Sequence, residues 1–197
     1  MTARPDLDRL RSDVVFQERL RDHDFHFRST WGLFSPRSVD EGSRLLLDHL
    51  EIGVADNCLD LGCGYGPIGL TMARLAPQGQ TLMVDKDYVA VDYANANAKA
   101  NHLANAKAVL SNGFSAVPAG RNYRIIASNI PAKVGKELLT LMLWDACDRL
   151  VVGGGLYVVT INGLRQFMKR NLNEVFGNYD KLKQGKNYTV AMARYEG

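Results

Sequence analysis

Asp60 stands two residues ahead of a run of glycines, Gly62, Gly64 and Gly66, in the stretch LDLGCGYGPIGL, and a second carboxylate, Asp85, follows Gly66 by 19 residues. Glycines at such spacing let the backbone turn tightly out of a strand and leave bare main chain for a ligand to lie against. Gly64, Gly66 and Gly69 also satisfy G-x-G-x-x-G, so a dinucleotide is one ligand to weigh. Asp60 argues against it. A carboxylate just before the loop would repel a doubly negative pyrophosphate and attract an ammonium or sulfonium. S-adenosylmethionine carries both, and Asp85, at the end of the next strand, is placed to accept from its ribose hydroxyls.

A second stretch, SNIPAKVGK, ends another strand-like run and brings Asn129, Ile130 and Pro131 together ahead of Lys133 and Lys136. Nothing else in the chain demands catalysis of another kind. His23, His26, His49 and His102 are scattered, no paired carboxylates stand out, and no cluster has the spacing of metal ligands, so no metal is expected. Cys58, Cys63 and Cys147 are odd in number and contain no CxxC pair, which favours reduced thiols over a disulfide framework or a zinc site.

The elements that must hold these residues alternate. NCLDLG, QTLMVD, AKAVLSN, YRIIASN and LYVVTIN read as strands, the last after a turn LVVGGG. PIGLTMARLA, opened by Pro67, DYVAVDYANANAKANHL and VGKELLTLMLWDACDRL read as helices between them. The tail NYDKLKQGKNYTVAMARY reads as two strands around a glycine turn, an antiparallel edge. The expected fold is α/β: a doubly wound, Rossmann-like, mostly parallel seven-stranded sheet, with ligands at the carboxyl ends of its strands. Residues 1–28, with six basic and six acidic side chains, suit a short helix or loosely docked arm ahead of a single domain at 29–197, and FHFRSTWGLFS suits a small hairpin turning at Gly32.

At 197 residues, with 46% hydrophobic and 23% charged, the chain can bury one good core. It has no apolar run of about 18 residues to cross a membrane and no signal-peptide core, so a cytoplasmic location is expected. The net charge of +3 is uneven: five basic and nine acidic residues lie between Ser38 and Asn112, twelve basic and six acidic beyond it. The second half is the one suited to meet an anion.

DLGCGYGPIG with the acid of MVDKD resembles the cofactor site of class I S-adenosylmethionine-dependent methyltransferases. The flanks are similar to the small-methyltransferase family that includes ribosomal small-subunit RNA guanine-N2 methyltransferases. GLFSPRSVDEGSRLLL is similar to its Gly-x-Phe-Ser step and Asp-x-Gly-Ser helix start, LSNGF to its Ser-Asp-Gly-Phe segment, and EVFGN to its ending. The resemblance implies a cofactor site of Asp60, Gly62, Cys63, Gly64, Gly66, Asp85, Lys86, Asn112, Gly113 and Asn129, with Asn112 in place of the usual Asp. It implies a catalytic loop of Asn129, Ile130 and Pro131, in which the Asn side-chain oxygen and the adjacent carbonyl accept from the substrate's exocyclic amine.

Here the family's Asn-Pro-Pro-aromatic has become Asn-Ile-Pro-Ala. Ile130 gives up the stiffness of a proline, which loosens the turn, and Ala132 gives up a stacking ring. Trp31, Phe34 and Tyr188 are the aromatics that could replace it. The substrate-side set is Phe34, Ala132, Lys133, Lys136 and Arg165, and the implied substrate is a base in RNA, rRNA guanine N2 first, met as rRNA or a ribosomal subunit. The alternatives are a small-molecule or protein-amide methyltransferase, and a cofactor-binding protein that has lost transfer.

Overall fold

The computed structural model describes residues 6–131 and 134–197. A short helix α1 (Leu7–Arg11), capped by the Asp6 carboxylate on the Asp8 and Arg9 N–H groups, leads into two antiparallel strands, β1 (Val14–Leu20) and β2 (His23–Ser29). Where a short helix or loosely docked arm is expected, the described residues form the short helix α1 and then a docked hairpin, and the expected boundary at 28/29 falls inside β2. Its alternate residues Phe25 and Phe27 are fully buried and stack on each other, with Phe16 and Tyr65 against Phe27. The turn lies at Arg21 and Asp22, both left-handed (φ 48° and 63°), rather than at Gly32.

The main sheet has seven strands: β3 (Cys58–Leu61), β4 (Thr81–Asp85), β5 (Ala106–Leu110), β6 (Tyr123–Asn129), β7 (Leu150–Ile161), β8 (Asp180–Gln184) and β9 (Tyr188–Arg194). Their order is β5-β4-β3-β6-β7-β9-β8, parallel from β5 to β7, with β9 antiparallel between β7 and β8. The expected doubly wound sheet is present, with two antiparallel strands at its carboxyl-terminal side. LVVGGG is not a turn but the first half of β7, with an irregular register against β6. Gly153 is left-handed (φ 76°), and the next two glycines are set by crowding: a Cβ on Gly154 would lie 2.9 Å from Val151 O and one on Gly155 2.8 Å from the Tyr157 ring.

Every residue of β3 is buried, as a central parallel strand must be. The alternation of the strands feeds two apolar layers. Cys58, Ile125 and Ala127 face the layer beneath α2 (Glu41–Leu47), α3 (Pro67–Leu75) and α4 (Tyr88–Ala100); Leu59, Leu61 and Ile126 face that beneath α5 (Lys136–Arg149) and α6 (Arg165–Phe176).

Helix α4 also holds the hairpin. Asn97 accepts from Arg28 N–H and donates to Arg28 O and Tyr65 O, while Asn101 accepts from His26 N–H and donates to His26 O, all at 2.7–2.9 Å. Two amides one helical turn apart thus pair with the edge of β2 as a neighbouring strand would. No helix among the described residues is long and apolar enough to cross a membrane.

Candidate active site

Strand β3 has β4 on one side and β6 on the other, so successive units run outward in opposite directions and leave a crevice between the carboxyl ends of β3 and β6. Both stretches singled out in the sequence open there. The chain leaves β3 through Gly62, Gly64 and Gly66, all left-handed, and enters α3 with Gly66 as its cap and Pro67 as its first residue. The N–H groups of Gly62 and Cys63 both donate to Val84 O, which folds the loop back on β4. A Cβ on Gly62 or Gly64 would meet no atom within 4 Å, so the bare backbone of the loop faces open space. Gly69 has another duty. A Cβ there would lie 2.4 Å from Met83 Cγ, so the third glycine of the G-x-G-x-x-G spacing serves the close packing of α3 on β4.

Asp85, half-buried at the end of β4, accepts from Gly64 N–H through Oδ2 and from Asp87 N–H through Oδ1, each at 2.9 Å. Each oxygen keeps a lone pair for a further donor. Asp60 is fully buried; its Oδ2 accepts from Gly69 N–H at 2.7 Å and its Oδ1 has no partner among the described residues. Burial pushes its carboxyl up to about 7, against the Gly69 hydrogen bond and aided by the charge of Asp85. The carboxylate expected beside the ligand thus lies beneath the loop. Burial likewise raises the Cys63 thiol, a packed side chain of the same loop. Lys86 and Asn112 are exposed, at the ends of β4 and β5; the Asn112 N–H donates to Ser115 Oγ, and Gly113 is left-handed (φ 58°). Open glycine backbone, a carboxylate with spare acceptor capacity and an orphaned acid beneath fit S-adenosylmethionine.

Asn129 ends β6 half-buried. Its amide nitrogen donates to the Asp40 carboxylate, 3.3 Å to Oδ1 and 3.1 Å to Oδ2, and to Ser43 Oγ at 3.0 Å. Its side-chain oxygen meets no donor among the described residues. Ile130 is not the loosened position expected of a lost proline: its N–H donates to Val159 O at 2.9 Å, extending the β6–β7 ladder, and its side chain is 4% exposed. Pro131 follows at the surface, and Ala132 and Lys133 lie outside the described residues. Because Ile130 is an anchor in the α5–α6 layer, Ile130→Ala is expected to lower stability by about 2–5 kcal/mol, read from urea unfolding. A loss under 1 kcal/mol would mean the loop is held by other contacts.

Of the three candidate rings, Tyr188 is the one packed at the Asn129 end of the crevice. A Cβ on Gly42 would lie 3.1 Å from its ring, and burial, then the charges of Asp40 and Glu41, raise its hydroxyl. Phe34 is 67% exposed on the loop before α2, which Tyr65 fastens to the glycine loop by donating to Ser35 O or Ser38 O, each 3.1 Å away. Trp31 carries the Arg37 guanidinium 4.7 Å from its ring centre. Lys136 and Arg165 begin α5 and α6 at the same end of the sheet; Lys136 is exposed and Arg165 donates to Gln184 Oε1. Sequence reasoning missed Asp40 and Ser43, whose one signal was the Asp-x-Gly-Ser helix start.

A separate cleft, lined by Arg21, Glu51, Asp56, Arg124 and Arg194, lies at the amino ends of the strands, away from this site. Among the described residues no group of three or more His, Cys, Asp or Glu is placed to hold a metal ion.

The uncharacterized protein YbxB of Bacillus subtilis is 35% identical over 179 residues, covering 89% of each chain. The ribosomal RNA small subunit methyltransferase C of Hamiltonella defensa is 32% identical over 86% of this chain and 50% of its own length. Among solved structures, the 16S rRNA guanine-N2 methyltransferase RsmC of T. thermophilus, in complex with AdoMet and guanosine, superposes with a TM-score of 0.84 at 30% identity, over 92% of this chain and 50% of that one. The chain thus spans about half the length of these two rRNA methyltransferases. With the family model for the methyltransferase small domain matching residues 24–192, the chain belongs to the methyltransferase small domain family.

Proposed function

We propose that this protein transfers the methyl group of S-adenosylmethionine to an exocyclic amine of a base in RNA, with N2 of guanine in ribosomal RNA as the first candidate, and that it does so in the cytoplasm. One observation carries the reading: at the crevice that the glycine loop also borders, Asn129 donates through its nitrogen to Asp40 and Ser43, and its side-chain oxygen meets no donor among the described residues, with the Ile130 carbonyl next in the chain as the second acceptor of the proposed pair. Two acceptors side by side suit an amine with two hydrogens. Holding those hydrogens turns the nitrogen lone pair toward the donor, and alignment is most of what methyl transfer requires. The bound donor supplies an electrophilic methyl; the chain supplies the cradle, the Asp85 carboxylate for hydroxyls and the two acceptors for the amine. The rRNA methyltransferases similar to this chain support the choice of RNA and of guanine.

The direct test is transfer of labelled methyl from S-adenosylmethionine to rRNA from a strain lacking the gene, followed by nucleoside analysis. N2-methylguanosine is the expected product. Label in small molecules or protein alone would favour the rival reading, for which the missing ring at Ala132 speaks.

The basic residues at this end give a further expected result. If Lys136 and Arg165 meet phosphates, changing each to Ala weakens RNA binding without altering base preference. Each change should flatten the slope of log affinity against log salt by about 0.7. Filter binding across a salt series measures it, and unchanged slopes in both variants would remove them from the RNA path.

A further inference from the structure

An asparagine amide has two ends of similar shape, and only one of them can accept a hydrogen bond. For the site proposed above the oxygen must face the substrate. The choice is made by the first turn of α2. Asp40 is an acceptor only, and both its oxygens lie within 3.3 Å of the Asn129 nitrogen, while Ser43 Oγ takes the other amide hydrogen at 3.0 Å. Turned over, the Asn129 oxygen would face a carboxylate, an arrangement with repulsion and no hydrogen bond. Ser43 alone could not decide, because a hydroxyl both donates and accepts.

Asp40 is itself fixed. As the cap of α2 it accepts from Gly42 N–H at 2.9 Å and from Ser43 N–H at 3.3 Å, and the Tyr188 ring lies against Gly42. Ser43 is 6% exposed. The partner of Asn129 is thus a rigid helix end. The charge has a second effect. A carboxylate on the nitrogen end of an amide draws its dipole so that the far oxygen becomes more negative, which favours an amine gaining positive charge as it attacks.

We propose that Asp40, with Ser43, is the positioning residue for Asn129: it selects the rotamer that presents the Asn129 oxygen to the substrate amine and strengthens that oxygen as an acceptor. This rests on the reading of Asn129 as the amine's acceptor.

The test uses the full chain with tritiated S-adenosylmethionine and rRNA from the strain lacking the gene. Asp40→Asn keeps a good helix cap but removes the charge and offers a competing amide. At saturating donor its turnover is expected to fall by about 10- to 100-fold, with KM for the donor within about twofold and the melting temperature little changed. Combined with Asn129→Ala it should cost nothing further, because a residue that acts through Asn129 has no effect once Asn129 is gone. Losses that multiply in the double variant, or a wild-type rate for Asp40→Asn while Asn129→Ala is inactive, would overturn the inference and leave the site reading standing. A wild-type rate for Asn129→Ala would overturn the site reading itself.

A second measurement needs no turnover. In nitrogen-15 NMR the Asn129 side-chain amide hydrogens should exchange with water slowly in the wild type and about tenfold faster or more in Asp40→Asn. Equal exchange in the two proteins would also overturn the inference.

Discussion

Asn129→Ala is expected to lower turnover by about 10²- to 10³-fold while S-adenosylmethionine still binds within about threefold of the wild-type affinity. In the proposed site the donor lies against the glycine loop and Asp85, and among the described residues no hydrogen bond joins the Asn129 side chain to either. On the proposed reading the alanine removes an acceptor that matters most when the amine is aligned for attack, so the loss belongs in turnover. The variant should fold. Asp40 keeps its two helix N–H donors, and the strand ladder continues through Ile130 N–H to Val159 O. Its stability cost is expected near 1–2 kcal/mol from the lost amide bonds. Single-turnover transfer to rRNA, with calorimetry of donor binding, separates the two effects. Parallel loss of binding and turnover would mean that Asn129 serves the donor instead.

Asp60 should leave its mark on stability against pH. Its carboxyl is raised from 3.8 to about 7 in the folded chain by burial. Below pH ~4 both states hold the proton and nothing changes. Between pH ~4 and ~7 the unfolded chain releases it while the folded chain keeps it, so rising pH favours unfolding across that window. Three units at about 1.4 kcal/mol each put the loss near 4 kcal/mol, complete above pH ~7. Asp60→Asn keeps the acceptor for Gly69 N–H and does not titrate. The stability of Asp60→Asn relative to wild type should therefore rise from pH 4.5 to 7.5 in urea unfolding. A flat difference would sink the assignment. A cation bound above the loop would favour the ionised acid, so donor affinity should increase over the same range.

Much of this was legible in the sequence, for physical reasons that differ between segments. NCLDLG, QTLMVD and YRIIASN become β3, β4 and β6 because short apolar runs bounded by polar or glycine residues have few other ways to be buried. Gly66 and Pro67 mark the start of α3 because one suits a left-handed cap and the other a first helical turn. The hairpin was not legible. Its strands VVFQERL and HDFHFRS mix six apolar residues with eight polar or charged ones, and their turn uses Arg21 and Asp22 where a glycine or asparagine would have announced it. LVVGGG misled in the opposite sense, since Gly154 and Gly155 answer to crowding in a strand and Gly153 to a left-handed kink within it.

In the site itself, Asn129, Asp85 and the glycines could be read from spacing and from family likeness. Asp40 and Ser43 could not. They reach Asn129 across 89 and 86 residues of chain, and only the folded sheet brings that helix start to the end of β6. The weakening expected at Ile130 failed for a related reason: a ladder bond to Val159 is a tertiary property that no local pattern contains.

The side chain of Asn97 donates to Arg28 O on one side and Tyr65 O on the other. A fragment cut to begin at residue 29, where composition alone would trim the chain, would lose the strand that answers Asn97 and Asn101. It would bare one face of Phe16's neighbour Tyr65 and leave amide groups unanswered directly under the glycine loop. The amino-terminal hairpin thus braces the glycine loop from below, and shortening the protein from that end would loosen the segment proposed to hold the donor.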